Sequence, residues 1–286
     1  MNPEAITDVP PLKNLNIFPS VSRFLTTSHH LRGKPLWHVG DHDTLTYCVS
    51  GLSVLHIDGQ YYLFRPGQLA LNPKGTQRGR TPLSEDLVLH EITIEGEIEG
   101  ENIPKRLRLT QNGNYVVDVP PKYQTQTLAN FEQALPHNSS AEGYLFRAGA
   151  AANLLGIYFD ARVQMEDSEN KFSPVLRHMR ENLDANLSVA ELAAVMHMQS
   201  SYFIRLFKKM FGQAPIAYYN TLRVTAAIEL LSTTSLSLSA IAPKIGITDP
   251  YHFSHFFKNQ CGISPNQYRE AIHSIKKQMQ MGTQEM

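Results

Sequence analysis

At 286 residues, with 42% hydrophobic and 18% charged residues, the chain has the apolar content to bury a core and lacks the composition of a disordered protein. Its 26 basic and 26 acidic residues cancel, yet 1–170 carry 14 against 19, a net of 14 − 19 = −5, and 171–286 carry 12 against 7, a net of +5, so only the second half suits a polyanion. Cys48 and Cys261 have no Cys or His at ligand spacing, no apolar run reaches about 18 residues, and MNPEAITDVPPLKN lacks the order of an export signal, which argues against disulfides, a zinc site and a membrane and for two cytoplasmic domains.

Over 44–81 the segments TLTYCVSG, LSVLHIDG, QYYLFRPG and QLALNPKGT read as short strands. Turns at Asp58-Gly59 and Pro66-Gly67 and the alternation in SVLHI and QLALN predict an antiparallel barrel or sandwich. A small barrel can enclose one ligand. Trp37, His42, Tyr47, His56, Arg78 and His90 are the aromatic and polar candidates for effector binding, and Arg78 suits a carboxylate or the hydroxyls of a sugar.

Next, 123–135 and 141–165 read as helices. The second carries Leu145, Ala148, Ala152, Leu155 and Phe159 at three and four spacing, a stripe for the barrel or for the same helix of a second subunit. The polar stretch 166–171 marks a linker over 166–172, and Ser173-Pro174 opens a further helix.

The remaining chain repeats at an offset of 50. SYFIRLFKKMFGQAP (201–215) lies over YHFSHFFKNQCGISP (251–265), matching Phe203 with Phe253, Phe207 with Phe257, Lys208 with Lys258, Gly212 with Gly262 and Pro215 with Pro265. Phe203, Phe207 and Met210 form an apolar stripe, repeated imperfectly by Phe253, Phe257 and Gln260, and each Gly provides a left-handed cap. A shorter helix precedes each unit: Ser188 and Glu191 form a capping box, and 238–245 leads through Gly246 to Asp249 as N-cap with Pro250 at the first helical position. Ala193 and Ala242 would let the paired helices cross closely. Helix, turn, helix is the arrangement that puts a second helix into a major groove. A stiff helix over 215–231 would span about 25 Å between the units.

These residues resemble the AraC/XylS family of transcription regulators. The match covers roughly 173–272, and IAPKIGITDPYHFSHFFKNQCGISPNQYR is similar to the family's second-unit signature. Ile247 stands where the family usually has Phe, His255 where Arg is usual, and Pro243 interrupts the first helix of that unit. The segments before it, with Y-x-V-S-G, IDG, RPG and P-x-G-T, resemble the cupin-like sensor of family members. Metal-binding cupins place a His after P-x-G, where Arg78 stands here, and His38, His42 and Thr44 do not complete a ligand set, so no metal, cofactor or enzyme activity is expected.

The resemblance implies a multidomain chain: an N-terminal all-β cupin-like barrel with trailing helices that senses ligand and dimerises (1–165), a linker (166–172), an all-α double helix-turn-helix (173–275) and a polar tail (276–286). It implies a regulator, more often an activator, controlled by a small-molecule effector such as a sugar or organic acid, pairing as a homodimer and contacting double-stranded DNA and RNA polymerase. A metal-dependent cupin enzyme with an appended interaction domain is the alternative. Residues expected at DNA are Ser200, Ser201, Ile204, Arg205 and Lys208 in the first unit. In the second they are Pro250, Tyr251, His252, Ser254, His255 and Lys258. Arg205 suits bidentate bonding to guanine, and Lys208 and Lys258 suit phosphates.

Overall fold

The computed structural model describes residues 18–26, 36–95, 97–98, 101–102, 115–134 and 141–282. Its first half is built from antiparallel strands in two larger sheets. One has the order β1 (Phe18–Thr26), β8 (Val88–Glu95), β3 (Asp43–Ser50), β6 (Gln68–Asn72), β11 (Val116–Asp118). The other has the order β2 (Leu36–Val39), β7 (Gln77–Pro82), β4 (Ser53–Ile57), β5 (Gln60–Phe64), and β9 (Glu97–Ile98) pairs with β10 (Glu101–Asn102). Turn chemistry sets the register. Asp58 and Gly59 both hold positive φ, 48° and 81°, so the β4–β5 loop takes the twist of the strands it joins.

Cys48, Leu55, Phe64, Ala70, Leu87 and Leu89 come from both large sheets and form one buried cluster, so the sheets close over a shared interior. Further along the same strand faces the interior turns polar, with Thr44, Thr46, Asn72, Arg78, Arg80 and Glu91. The opposite face of the five-stranded sheet, with Leu45, Tyr47, Leu69, Leu71, Ile92 and Ile94, is covered by α1 (Pro121–Ala134) and α2 (Ala141–Lys171) through Phe131, Ala151, Leu154 and Tyr158.

Three features differ from the sequence expectation. Of the expected stripe, Leu155 is buried against the sheet and Ala152 and Phe159 pack beside it, whereas Leu145 is 69% exposed, beyond the face that runs through Ala150, Ala151, Leu154, Tyr158 and Ala161. The expected linker at 166–171 is the end of α2, which runs unbroken to Lys171. That stretch has no Gly or Pro, and three contacts hold it: an Arg162–Glu166 pair at 3.0 Å, a bond from Ser168 Oγ to the Gln164 carbonyl, and a Glu169–Arg180 pair at 3.7 Å. Likewise the expected tail begins as helix, since the last helix continues to Gly282.

The second half is helical: α3 (Ser173–Glu181), α4 (Val189–Val195), α5 (Ser200–Phe211), α6 (Pro215–Thr233), α7 (Leu238–Ile241) with a 3₁₀ turn (Ala242–Ile245), α8 (Pro250–Cys261) and α9 (Pro265–Gly282). Pro243 removes a backbone donor and, as expected, stops α7 after one turn. Buried Phe172 packs against Phe203, Phe207 and Phe211 and joins the α2–α3 corner to this core. No helix among the described residues is long and apolar enough to cross a membrane.

Candidate nucleic-acid interface

Each of the two helix pairs is built in the same way. Ser188 caps α4 in a capping box, its side chain accepting from Glu191 N while the Glu191 carboxylate accepts from Ser188 N at 2.7 Å. Asp249 caps α8 by accepting from Tyr251 N and His252 N, with Pro250 at the first helical position. Both α5 and α8 end on a left-handed glycine, Gly212 at φ 70° and Gly262 at φ 75°. Ala193 and Ala242 are fully buried where the short helices meet their partners.

The turns are where the repeat breaks. Met198 N donates to the Ala193 carbonyl, and Ile247 N donates to the Ala242 carbonyl, so the first helices are related by 49 positions while α5 and α8 are related by 50. The second turn therefore holds one residue more. The left-handed position falls on His197 (φ 54°) in the first turn and on Gly246 (φ 69°) in the second. A Cβ on Gly246 would stand 2.7 Å from the Asp184 carbonyl oxygen and 2.8 Å from Arg223 Nη2. Arg223 itself, buried in α6, donates from Nε to the Ile245 carbonyl and lies over the Tyr219 and Phe256 rings. Tyr219 donates to the carbonyls of Asn182 and Ala185. Helix α6 thus braces the second turn against the loop that precedes the first unit.

Phe203, Phe207, Phe253 and Phe257 are completely buried, and the polar faces opposite them are open. Ser200, Ser201, Ile204, Arg205 and Lys208 are all exposed on α5. On α8, Tyr251, His252, His255 and Lys258 are exposed, whereas Pro250 and Ser254 are half-buried, the Ser254 hydroxyl bonding the Pro250 carbonyl at 2.9 Å. Tyr251 and His255 meet edge to face, 4.7 Å between centroids, and make an aromatic surface where the first unit has Arg205. Tyr202, half exposed, and Lys209 share the open side of α5 and were not singled out by the motif. In the second unit Cys261, rather than Gln260, completes the buried stripe.

Among the candidate effector residues, Arg78 lies in the interior of the sheets, donating to Thr44 Oγ1 at 3.2 Å and the Asn72 carbonyl at 3.1 Å. Tyr47 and His90, expected in the lining, lie outside it, their rings 6.1 and 5.7 Å from that of Phe131 beneath α1. His56 is also outside, its ring 4.9 Å from Tyr61 on the outer face of the four-stranded sheet, and burial pushes its pKa down to about 4. The reason is parity: neighbours on a strand face opposite sides, so chemically suitable residues at the wrong position point away. His42 is half-exposed beside Asp41, and Trp37 holds the register position opposite Gly79. The same parity identifies groups the motif missed. Two residues beyond Arg78, Arg80 Nη2 meets Glu91 Oε2 at 3.2 Å, and Thr46 donates to that carboxylate at 2.8 Å. Burial pushes the Glu91 carboxyl up, but Arg80 and Thr46 outweigh it and leave it below its ordinary range.

Residues 192–271 match a helix-turn-helix domain family. The chain is similar to the uncharacterized HTH-type transcriptional regulator YisR of Bacillus subtilis, 24% identical over 75% of this chain and 78% of that protein. It is also 24% identical to the arabinose operon regulatory protein of Escherichia coli, over 79% of each. Among solved structures it resembles a transcriptional regulator with an AraC-type DNA-binding domain from Chromobacterium violaceum, at 31% identity over 36% of this chain and 93% of that one, TM-score 0.34.

Proposed function

We propose, for a chain that belongs to the AraC/XylS family of DNA-binding transcription regulators, that α5 and α8 are its reading helices and that the two-sheet half is a sensor whose occupant controls them. One observation carries this reading. Both helices are pinned by fully buried phenylalanines, and each turns a hydrogen-bonding side to solvent. Arg205 reads a guanine edge, Ser200, Ser201 and Ile204 contact neighbouring bases, and Lys208 and Lys258 hold phosphates. In the second unit Pro250, Tyr251, His252 and His255 meet the groove with less positive charge, and Ser254 supports the helix from its flank.

The polar end of the sandwich interior, with Arg78, Arg80, Glu91, Thr46 and Asn72, offers donors and acceptors to an effector bearing hydroxyl or carboxylate groups. Effector binding shifts the population of the DNA-competent arrangement. Two such chains pair through the sensor half, and the bound regulator contacts RNA polymerase as an activator, acting in the cytoplasm without catalysis of its own.

The test is Arg205→Ala, with the operator recovered by selecting random duplexes on the full chain. Affinity for the selected duplex falls by about 1–3 kcal/mol, and affinity for unselected DNA falls less. Equal losses on both would remove Arg205 from base reading.

A further inference from the structure

The β4–β5 hairpin faces two ways. Its inward residues Leu55 and Phe64 are buried in the apolar cluster shared by both sheets. Its outward residues Val54 and Leu63, with half-buried Tyr61, are part of the core of the second helical unit, together with Val224, Ile228, Leu231 and Tyr268. Polar bonds reinforce the seat. The Tyr61 hydroxyl faces Ser232, whose Oγ lies 3.0 Å from the Tyr268 hydroxyl. Just past β5, Arg65 Nη2 donates to Thr221 Oγ1 at 2.9 Å. Ser232 and Thr221 both belong to α6, the helix that separates the two reading units.

Alternation makes the two faces mechanically one. Inward and outward side chains sit one residue apart on a strand packed on both sides, so a shift of Leu55 or Phe64 moves Val54 and Leu63 as well. Packed interfaces of this kind respond by stepping between arrangements rather than by yielding gradually. We propose that the β4–β5 hairpin positions the second reading unit according to what fills the sandwich interior, with Tyr61, Leu63 and Arg65 as positioning residues for DNA recognition. This rests on the reading that the interior takes an effector and that α5 and α8 take DNA. Linkage then requires the converse, that operator DNA alters the hairpin.

Amide hydrogen exchange on the full chain tests both directions. Without DNA, Phe64→Leu raises exchange across 221–232 at least threefold, while Leu45→Val, a loss of volume on the outer face of the other sheet, leaves that segment as it was. No rise in Phe64→Leu, or an equal rise in Leu45→Val, overturns the proposal. With the selected operator duplex at saturation, exchange across 53–64 changes at least threefold in the wild type, and the change is lost in the double variant Tyr61→Phe/Arg65→Ala. Protection of α5 and α8 by the duplex with no response from the hairpin overturns the proposal as well. A duplex that protects neither helix removes the DNA-binding reading instead, and the first comparison still decides whether the hairpin transmits.

Discussion

Gly246→Ala is the substitution whose cost the structure resolves into parts. Gly246 sits at φ 69°, where a side chain costs about 1–2 kcal/mol because Cβ crowds the following carbonyl. Its new Cβ would also stand 2.7 Å from the Asp184 carbonyl oxygen, a backbone atom that cannot swing aside. Relieving such overpacking costs roughly a further 1–3 kcal/mol. Gly212 isolates the two terms, since it has nearly the same φ, 70°, and nothing within 4 Å of the Cβ it would gain. The expected losses are therefore about 1–2 kcal/mol for Gly212→Ala and about 2–5 kcal/mol for Gly246→Ala. Urea titrations of the full-length variants, followed by circular dichroism at 222 nm, give the comparison because the helical half dominates that signal. Similar midpoints for the two variants would refute the idea that the second turn is held against the loop at Asp184, and with it the bracing role assigned to α6.

His197→Gly, by relieving a left-handed residue in the first turn, should raise stability by up to about 1 kcal/mol, and an unchanged or lower urea midpoint would count against strain there. Arg80→Met should cost about 1–3 kcal/mol at neutral pH, since it leaves the half-buried Glu91 carboxylate without its cation, and adding Glu91→Gln should recover much of that loss. His56, with its folded pKa near 4, remains neutral while the unfolded chain takes up a proton below about 6.5. Stability must then fall by about 2 kcal/mol between pH 7 and pH 5 from this residue. His56→Phe should flatten that part of the profile, and an unaltered slope would show that His56 is not held neutral.

The helical half was largely legible because its determinants are local and doubled. Phenylalanines four apart, a glycine after each helix and a capping box each carry their own geometry, and the offset of 50 lets one unit check the other. That offset concealed the extra residue in the second turn, which shows only in the bonds to Ala193 and Ala242. In the two-sheet half, chemistry was read without parity. Arg78 was legible as an inward cation, but Tyr47, His56 and His90 were chosen for their rings and lie on outward faces. Polarity at 166–171 looked like a linker, yet those residue types also form the solvent side of a helix. The seat of the second unit on β4–β5 was not legible at all. SVLHI has the pattern of a strand with one wet face, and all five of its residues prove buried only because another part of the chain covers them.

Because α2 runs to Lys171 and turns at buried Phe172 directly into α3, the two halves are joined by a strut and not by a tether. A flexible connection absorbs extra residues at little cost, but each residue added to a helix turns everything beyond it by about 100° and advances it about 1.5 Å. A single alanine inserted within 163–170 would swing the helical half out of phase with the sandwich, tearing Leu63 from its seat or unwinding the end of α2. Evolutionary change in length at this boundary is then confined to steps near whole turns, three or four residues at a time, which would restore the original facing.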